Sequence, residues 1–168
     1  PDTFVIFDRV AASSASYPKT WLLHSIQEPV FPKQGPTFRI KHNGGQLDVW
    51  TLLPENAAAN AVGGPGKEYW VDGKNYPPDN TRDSEAGAWR VEVKPTRDSA
   101  VDFFLHVLIA SDGDGGKLLP QVELCSGDNE TAAVEITDGI SKATVQFQTK
   151  GRTGGEIVIA ENGRTIVE

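Results

Sequence analysis

Short segments in which apolar and polar residues alternate follow one another along almost the whole chain. They are rich in β-branched and aromatic residues and are separated by turn-forming residues, which is typical of antiparallel strands joined by tight turns. Hairpin turns are predicted at Asn43-Gly44-Gly45, Asp72-Gly73 and Asn162-Gly163, where positive φ angles are accessible. Strands are predicted at Phe4–Val10 and at 19–25, 37–42, 46–53, 67–71, 88–94, 102–110, 121–125, 132–137, 142–148, 155–160 and 164–168.

Two segments depart from this pattern. Glu55–Val62 contains helix-friendly residues and is followed by Gly63-Gly64-Pro65, so we expect at most a short helix on a crossover. Pro77–Ala86 is polar and rich in breakers, which predicts a long surface loop. The chain is therefore predicted to be all-β, an antiparallel two-layer β-sandwich of about 10–12 strands forming a single domain over residues 1–168.

Length and composition fit a folded domain with its own core. The chain has 168 residues, of which 38% are hydrophobic and 23% charged. No apolar run approaches the roughly 18 residues that cross a bilayer, so we expect no membrane partner. The chain opens on Pro1-Asp2-Thr3 without an initiating methionine or a signal peptide, which indicates a mature fragment or an excised domain. The single Cys125 excludes an internal disulfide and a cysteine-based zinc site.

The charge of the chain is negative and unevenly distributed. A formal net charge of −7 disfavours nucleic acid as a partner. Residues 101–168 hold eleven acidic and five basic residues, so we expect any site for an anionic ligand in the first two thirds of the chain. Exposed charges more than roughly 8 Å apart are largely screened at physiological salt, so the acidic last third does not forbid such a site.

Catalytic motifs are absent from the sequence. There is no G-x-S-x-G nucleophile elbow and no H-E-x-x-H helix. The three histidines, His24, His42 and His106, each stand alone in a predicted strand. We expect His24 and His106 to pack inside the sandwich; if their strands adjoin, a joint metal or acid–base pair is the alternative.

One acidic turn resembles the start of a calcium loop. Asp112-Gly113-Asp114-Gly115 supplies carboxylates at alternate positions, but the following residues lack the distal glutamate of an EF-hand. We therefore expect an acidic hairpin turn and no cofactor, with a structural calcium ion as the alternative.

Two predicted strands each carry a pair of cations opposite an apolar stripe. Arg39 and Lys41 share one face of the first, and Arg90 and Lys94 share one face of the second, with roughly 7 Å between the members of each pair. If the two strands lie in one sheet, the four cations form a row that matches the carboxylates or sulfates of an acidic sugar chain. The alternative is an ordinary solvated sheet face.

Aromatic residues beside further cations provide a second candidate surface. Tyr69, Trp70 and Tyr76 flank a predicted turn next to Lys67 and Lys74. Flat rings stack on the C–H faces of pyranose sugars, so these residues are candidate ligand contacts. Core packing is the alternative for each of the tryptophans, which are highly buried on average.

Several segments, taken together and in order, resemble a known family. The segments FVIFDRV, KTWLLHSIQEP, QLDVWTLLPENA, VGGPGKEYWV, GAWRVEVKP and DFFLHVLIA, spanning roughly residues 4–110, are similar to the β-sheet region downstream of the catalytic toroid in heparinase II/III-like polysaccharide lyases. Residues 111–168 match that region only as further strands.

The resemblance implies a β-sandwich attached to an (α/α)-toroid that cleaves uronic-acid polysaccharides, such as glycosaminoglycans and alginate, by β-elimination. In that family the catalytic residues lie mainly on the toroid helices, and the zinc-binding cluster lies upstream of the matched region. The resemblance therefore assigns neither catalysis nor a metal to His24 or His106. It also implies a secreted or periplasmic bacterial protein and a toroid domain as partner.

Three functions follow as hypotheses. The first is a non-catalytic module that binds an acidic polysaccharide, such as a glycosaminoglycan, through the basic and aromatic residues named above. The second is a structural domain that buttresses the lyase toroid without binding sugar, for which an exposed apolar patch would be the sign. The third, an autonomous enzyme, is disfavoured because the sequence offers no nucleophile, metal motif or convergent acid pair.

Overall fold

The segments with alternating apolar and polar residues form strands because alternation sends the apolar side chains of each segment to one face. The structure is a computed structural model that describes residues 2–79, 87–113, 118–128 and 130–167. Every regular element in those ranges is a β-strand, and no helix among them is long and apolar enough to cross a membrane. The strands are β1 Asp2–Ala11, β2 Trp21–Ser25, β3 Phe38–His42, β4 Gly45–Leu53, β5 Ala58–Gly63, β6 Trp70–Val71, β7 Lys74–Asn75, β8 Trp89–Lys94, β9 Val101–Asp112, β10 Gln121–Gly127, β11 Thr131–Asp138, β12 Ser141–Gln148, β13 Gly155–Glu161 and β14 Arg164–Val167.

The strands form three sheets and a small hairpin, and all their pairings are antiparallel. The central sheet has the order β1-β9-β4-β3, and the C-terminal sheet has the order β10-β11-β12-β13-β14. The outer sheet has the order β2-β8-β5, and β6 pairs with β7 alone.

The central and C-terminal sheets pack face to face. Leu105, Val107 and Ile109 of β9 point into their interface and meet Val134 and Ile136 of β11. Burying an aliphatic side chain of this size contributes about 1.5–3 kcal/mol, so this core is a main source of the stability of the fold. The antiparallel sandwich predicted from the sequence is thus confirmed.

The outer sheet covers the other face of the central sheet. Leu108 of β9 and Val49 of β4 point to this side, where they pack against Val91 and Val93 of β8. The central sheet is therefore apolar on both faces, which explains the nearly continuous apolar run of β9. Because Val91 and Val93 point inward, the alternate side chains of β8 point away from the central sheet.

The predicted hairpin turns are confirmed. Asn43, Asp72 and Asn162 each adopt a positive φ between 47° and 49°, and the glycine that follows each of them also has a positive φ. Two successive residues with positive φ suit the twist of the strands that they connect. These turns join β3 to β4, β6 to β7 and β13 to β14.

The prediction of a short helix within Glu55–Val62 is wrong. Ala58–Gly63 is strand β5, which pairs with β8 and rests Ala59 against the apolar cluster beneath the outer sheet. The helix propensity of alanine is a weak preference, and the ladder with β8 overrides it. Gly63 ends the strand at a position where any side chain would collide with the Ala88 carbonyl.

Two sequence predictions fall partly outside the described residues. The predicted loop Pro77–Ala86 is described only as far as residue 79, where it forms no strand. In the acidic turn, Asp112 is the last residue of β9, while Asp114 and Gly115 lie outside the described residues.

Candidate functional site

The four cations predicted to form one row lie on different sheets. Arg39 and Lys41 are on β3 of the central sheet, whereas Arg90 and Lys94 are on β8 of the outer sheet. The buried neighbours of each pair point into the cluster between these sheets, so the two pairs project in opposite directions. The prediction that the four cations form a single row is therefore wrong, because β3 and β8 belong to different sheets.

Arg39 stabilises the fold by pairing with a buried carboxylate. Its Nε lies 2.6 Å from Oδ1 of Asp48, which is directly opposite on β4 and fully buried. Gln46 donates a hydrogen bond of 2.5 Å to the other oxygen of Asp48. A buried carboxylate needs such partners, so the Nε of Arg39 has a structural role.

Lys41 stands apart from the other predicted site residues. It is exposed and forms no ion pair with any of the described residues. A shallow cavity of about 300 Å³ lies beside it, lined by Gln27, Lys41, His42, Asn43, Gly44, Gly45 and Gly113. The aromatic candidates are not among these lining residues.

The outward face of β8 carries a ladder of alternating charges. Glu92 lies between Arg90 and Lys94, and its Oε1 accepts a 2.8 Å hydrogen bond from Nε of Arg90 and lies 2.7 Å from Nη2 in the same ion pair. Its Oε2 lies 2.6 Å from Nζ of Lys94. The Lys94 ammonium and the Arg90 guanidinium hold the pKa of the Glu92 carboxyl below its ordinary value, so Glu92 is ionised at neutral pH.

The β6–β7 hairpin is anchored to this ladder. Nη1 of Arg90 donates a 2.6 Å hydrogen bond to the main-chain oxygen of Trp70. Asn75 accepts a 2.8 Å hydrogen bond from the main-chain N–H of Tyr69, which closes the base of the hairpin. The hairpin and the outward face of β8 are therefore one connected surface.

The hairpin presents two cation–aromatic pairs. Nζ of Lys67 lies 5.3 Å from the centre of the Trp70 ring, and Nζ of Lys74 lies 5.0 Å from the centre of the Tyr76 ring. Tyr76 is 56% exposed. Seven of the nine predicted site residues thus come together, and with Glu92 they are named here the outer-face cluster: Lys67, Tyr69, Trp70, Lys74, Tyr76, Arg90, Glu92 and Lys94.

The outer sheet adds residues that the sequence reasoning missed. Directly opposite the ladder, His24 pairs with Arg90, and Leu22 and Asn60 both pair with Glu92. His24 is exposed, so its expected place inside the sandwich is wrong. The inward residues of β2 are Trp21 and Leu23; alternation from Trp21, the largest apolar residue of the segment, was the signal for this orientation.

His106 is buried, as expected, between the central and outer sheets. Its ring stacks on that of Trp21 with 3.9 Å between the ring centres, and its Nδ1 lies 3.2 Å from the Thr51 hydroxyl oxygen. Burial lowers the pKa of His106 to about 4, so the ring is neutral at physiological pH. His24 and His106 lie in different sheets and form no pair, and no metal-binding group of three His, Cys, Asp or Glu side chains occurs within the described ranges.

Neither a protein-family model nor a curated protein matches this chain. The outer-face cluster combines hydrogen-bond donors, one ionised acceptor, the exposed ring of Tyr76 and the half-buried rings of Tyr69 and Trp70, a combination suited to holding a polyhydroxylated, charged ligand.

Proposed function

We propose that this chain is a non-catalytic carbohydrate-binding module that recognises an acidic, uronic-acid-containing polysaccharide, such as a glycosaminoglycan, at the outer-face cluster. The observation that carries the proposal is the convergence of two cation–aromatic pairs with the Arg90–Glu92–Lys94 ladder on one surface. By its sequence resemblance, the module would serve a secreted or periplasmic heparinase II/III-like polysaccharide lyase and adjoin the catalytic toroid of that enzyme.

The local charge supports an anionic ligand although the whole chain is acidic. The four cations of the outer-face cluster outnumber the carboxylates carried by β8 and the hairpin, which are those of Glu92, of Glu68, held at the hairpin, and of Asp72 in the hairpin turn. Most of the acidic excess belongs to residues 101–168, the part of the sequence that contains β9 and the C-terminal sheet. At physiological salt, a polyanion at the outer sheet is largely screened from charges more than roughly 8 Å away.

The paired rings and ammonium groups support a sugar in particular. Lys67 beside Trp70 and Lys74 beside Tyr76 each present a positive charge next to flat apolar surface. A uronic-acid residue has a carboxylate at one position and an apolar C–H face at another. One such sugar can therefore meet the ammonium and the ring of a pair at the same time.

Removing both hairpin ammonium groups is expected to weaken retention on immobilised chondroitin sulfate. The Lys67→Ala/Lys74→Ala variant should bind about tenfold more weakly than the wild type, because two charge-assisted contacts are lost. Wild-type retention should fall as sodium chloride is raised, since exposed ionic contacts are screened by salt.

Two further variants separate specific binding from general charge attraction. Lys142→Ala/Lys150→Ala makes the same change in charge on the C-terminal sheet and the turn that follows β12, and it should leave retention unchanged. Trp70→Ala should weaken binding while leaving the net charge intact. Equal losses in the two lysine variants would reduce the interaction to non-specific charge attraction and contradict the proposal.

One observation favours a structural role as a second candidate. Ile157, Ile166 and Val167 on the last two strands are 44%, 59% and 44% exposed. Val167 pairs with Ile159 and therefore shares a sheet face with Ile157, and an exposed apolar surface of this kind is typical of a contact with another protein or domain. In this alternative the chain buttresses the lyase toroid; association with a separately produced toroid, together with no retention on any acidic polysaccharide, would favour it.

A further inference from the structure

Glu92 already binds the groups of Arg90 and Lys94 that could otherwise bind an anionic ligand. Nε and Nη2 of Arg90 form the edge of the guanidinium that binds carboxylates and sulfates bidentately, and both already bind Oε1 of Glu92. The remaining nitrogen, Nη1, donates to the main-chain oxygen of Trp70. Lys94 is held by the other oxygen of Glu92. The Nε/Nη2 edge of the Arg90 guanidinium is therefore already occupied within the protein.

A sulfate could bind Arg90 in this way only by displacing Glu92. The side chains of Glu92 and Arg90 are only 16% and 17% exposed. Leaving a carboxylate of such low exposure without its cation is strongly unfavourable. Several closely spaced sulfates would in addition be repelled by the Glu92 charge.

Sugar hydroxyls, in contrast, can use the ladder as it stands. The carboxylate of Glu92 has acceptor sites beyond those used by Arg90 and Lys94, and the Lys94 ammonium has further N–H groups to donate. Asn60, directly opposite Glu92 on β5, offers an amide donor and acceptor beside them. The exposed hairpin ammonium groups of Lys67 and Lys74, which form no ion pair with any described residue, can meet an isolated carboxylate.

We propose that Glu92 sets the ligand specificity of the outer-face cluster, so that the cluster selects a uronic-acid chain with free hydroxyls and few or no sulfates over a densely sulfated one. This inference rests on the proposed function, because it specifies the ligand of the same surface. Glu92 acts by holding Arg90 and Lys94 and by accepting from sugar hydroxyls; it takes no part in a chemical step.

The test uses two ligands that differ only in sulfation. Unsulfated chondroitin and chondroitin sulfate oligosaccharides of equal length are titrated into the 168-residue chain by calorimetry at one salt concentration. The wild type should bind the unsulfated oligosaccharide several-fold more tightly. In Glu92→Gln the preference should reverse, with affinity for the sulfated chain rising about tenfold as Arg90 and Lys94 are released.

A matched variant and the pattern of failure keep the two proposals separate. Glu135→Gln removes an ion-paired carboxylate, that of the Lys142–Glu135 pair on the C-terminal sheet, and should leave both affinities unchanged. If the wild type binds both oligosaccharides with no preference, or prefers the sulfated one, the proposed role of Glu92 in specificity is wrong. Binding itself would still support the proposed function. If the wild type binds neither, the proposed function itself is overturned. The wild-type preference is measured without any variant, so it does not depend on how Glu92→Gln folds.

Discussion

Lys19→Met is expected to lower the free energy of unfolding by about 3–5 kcal/mol, because it removes one partner of a buried ion pair. The Lys19 ammonium lies 3.0 Å from Oδ2 of Asp102, and the two side chains are only 7% and 11% exposed. Nζ of Lys19 also donates hydrogen bonds to the main-chain oxygens of Ser99 and Tyr17, at 2.5 and 3.3 Å. Methionine keeps the apolar stem of lysine but leaves Asp102 without its cation and the two carbonyls without their donor.

Urea denaturation of the wild type and of Lys19→Met measures this loss directly. Lys142→Met is the matched control, because Lys142 forms an ion pair of 2.6 Å with Glu135 but is 52% exposed. Exposed pairs contribute about 0–1 kcal/mol, so the control should change stability little. A similar, small loss in both variants would mean that the Lys19–Asp102 pair does not stabilise the junction between the β1–β2 connection and β9.

Acidification is expected to destabilise the fold through His106. The pKa of His106 is about 4 in the folded chain, against an ordinary value of 6.5. Between these pH values the unfolded chain binds a proton that the folded chain excludes, so protons favour unfolding. Stability should therefore be constant above pH 6.5 as far as this group is concerned, and should decline by about 3 kcal/mol as the pH falls to 4.

His106→Phe isolates this contribution. Phenylalanine retains an aromatic ring against Trp21 but cannot be protonated, so the decline in stability between pH 6.5 and pH 4 should become shallower than in the wild type. The comparison variant is His24→Phe, which makes the same replacement at an exposed position of the outer sheet. If His106→Phe follows the same pH profile as the wild type, the acid sensitivity belongs to other groups.

Local patterns predicted much of the fold. Alternation identified the strands because the direction of a side chain depends on its position in the strand alone. The turn at Asn43-Gly44 even fixes the register of β3 and β4, which pairs Arg39 with Asp48. Counting outward from that turn would have revealed from the sequence that Arg39 has a carboxylate partner.

The pairing of strands that are far apart in sequence could not be predicted from the same patterns. Which sheet a strand joins depends on contacts between residues far apart in sequence, so the separation of Arg39 from Arg90 could not be predicted. The same limit affected the histidines: His24 and His106 both alternate with apolar residues, yet one faces outward and the other is buried. Strand β5 was missed because alanine and asparagine carry no strand preference, and only its ladder with β8 makes it a strand.

The most direct test of the central claim is an amide NMR titration of the 168-residue chain with unsulfated chondroitin oligosaccharides. A module that binds acidic sugar at the outer-face cluster should give shift changes along β8 and in the β6–β7 hairpin, with smaller ones at His24 and none on the C-terminal sheet. Changes confined to β3 and the Asn43-Gly44 turn or to the last two strands, or no changes at saturating oligosaccharide, would contradict it.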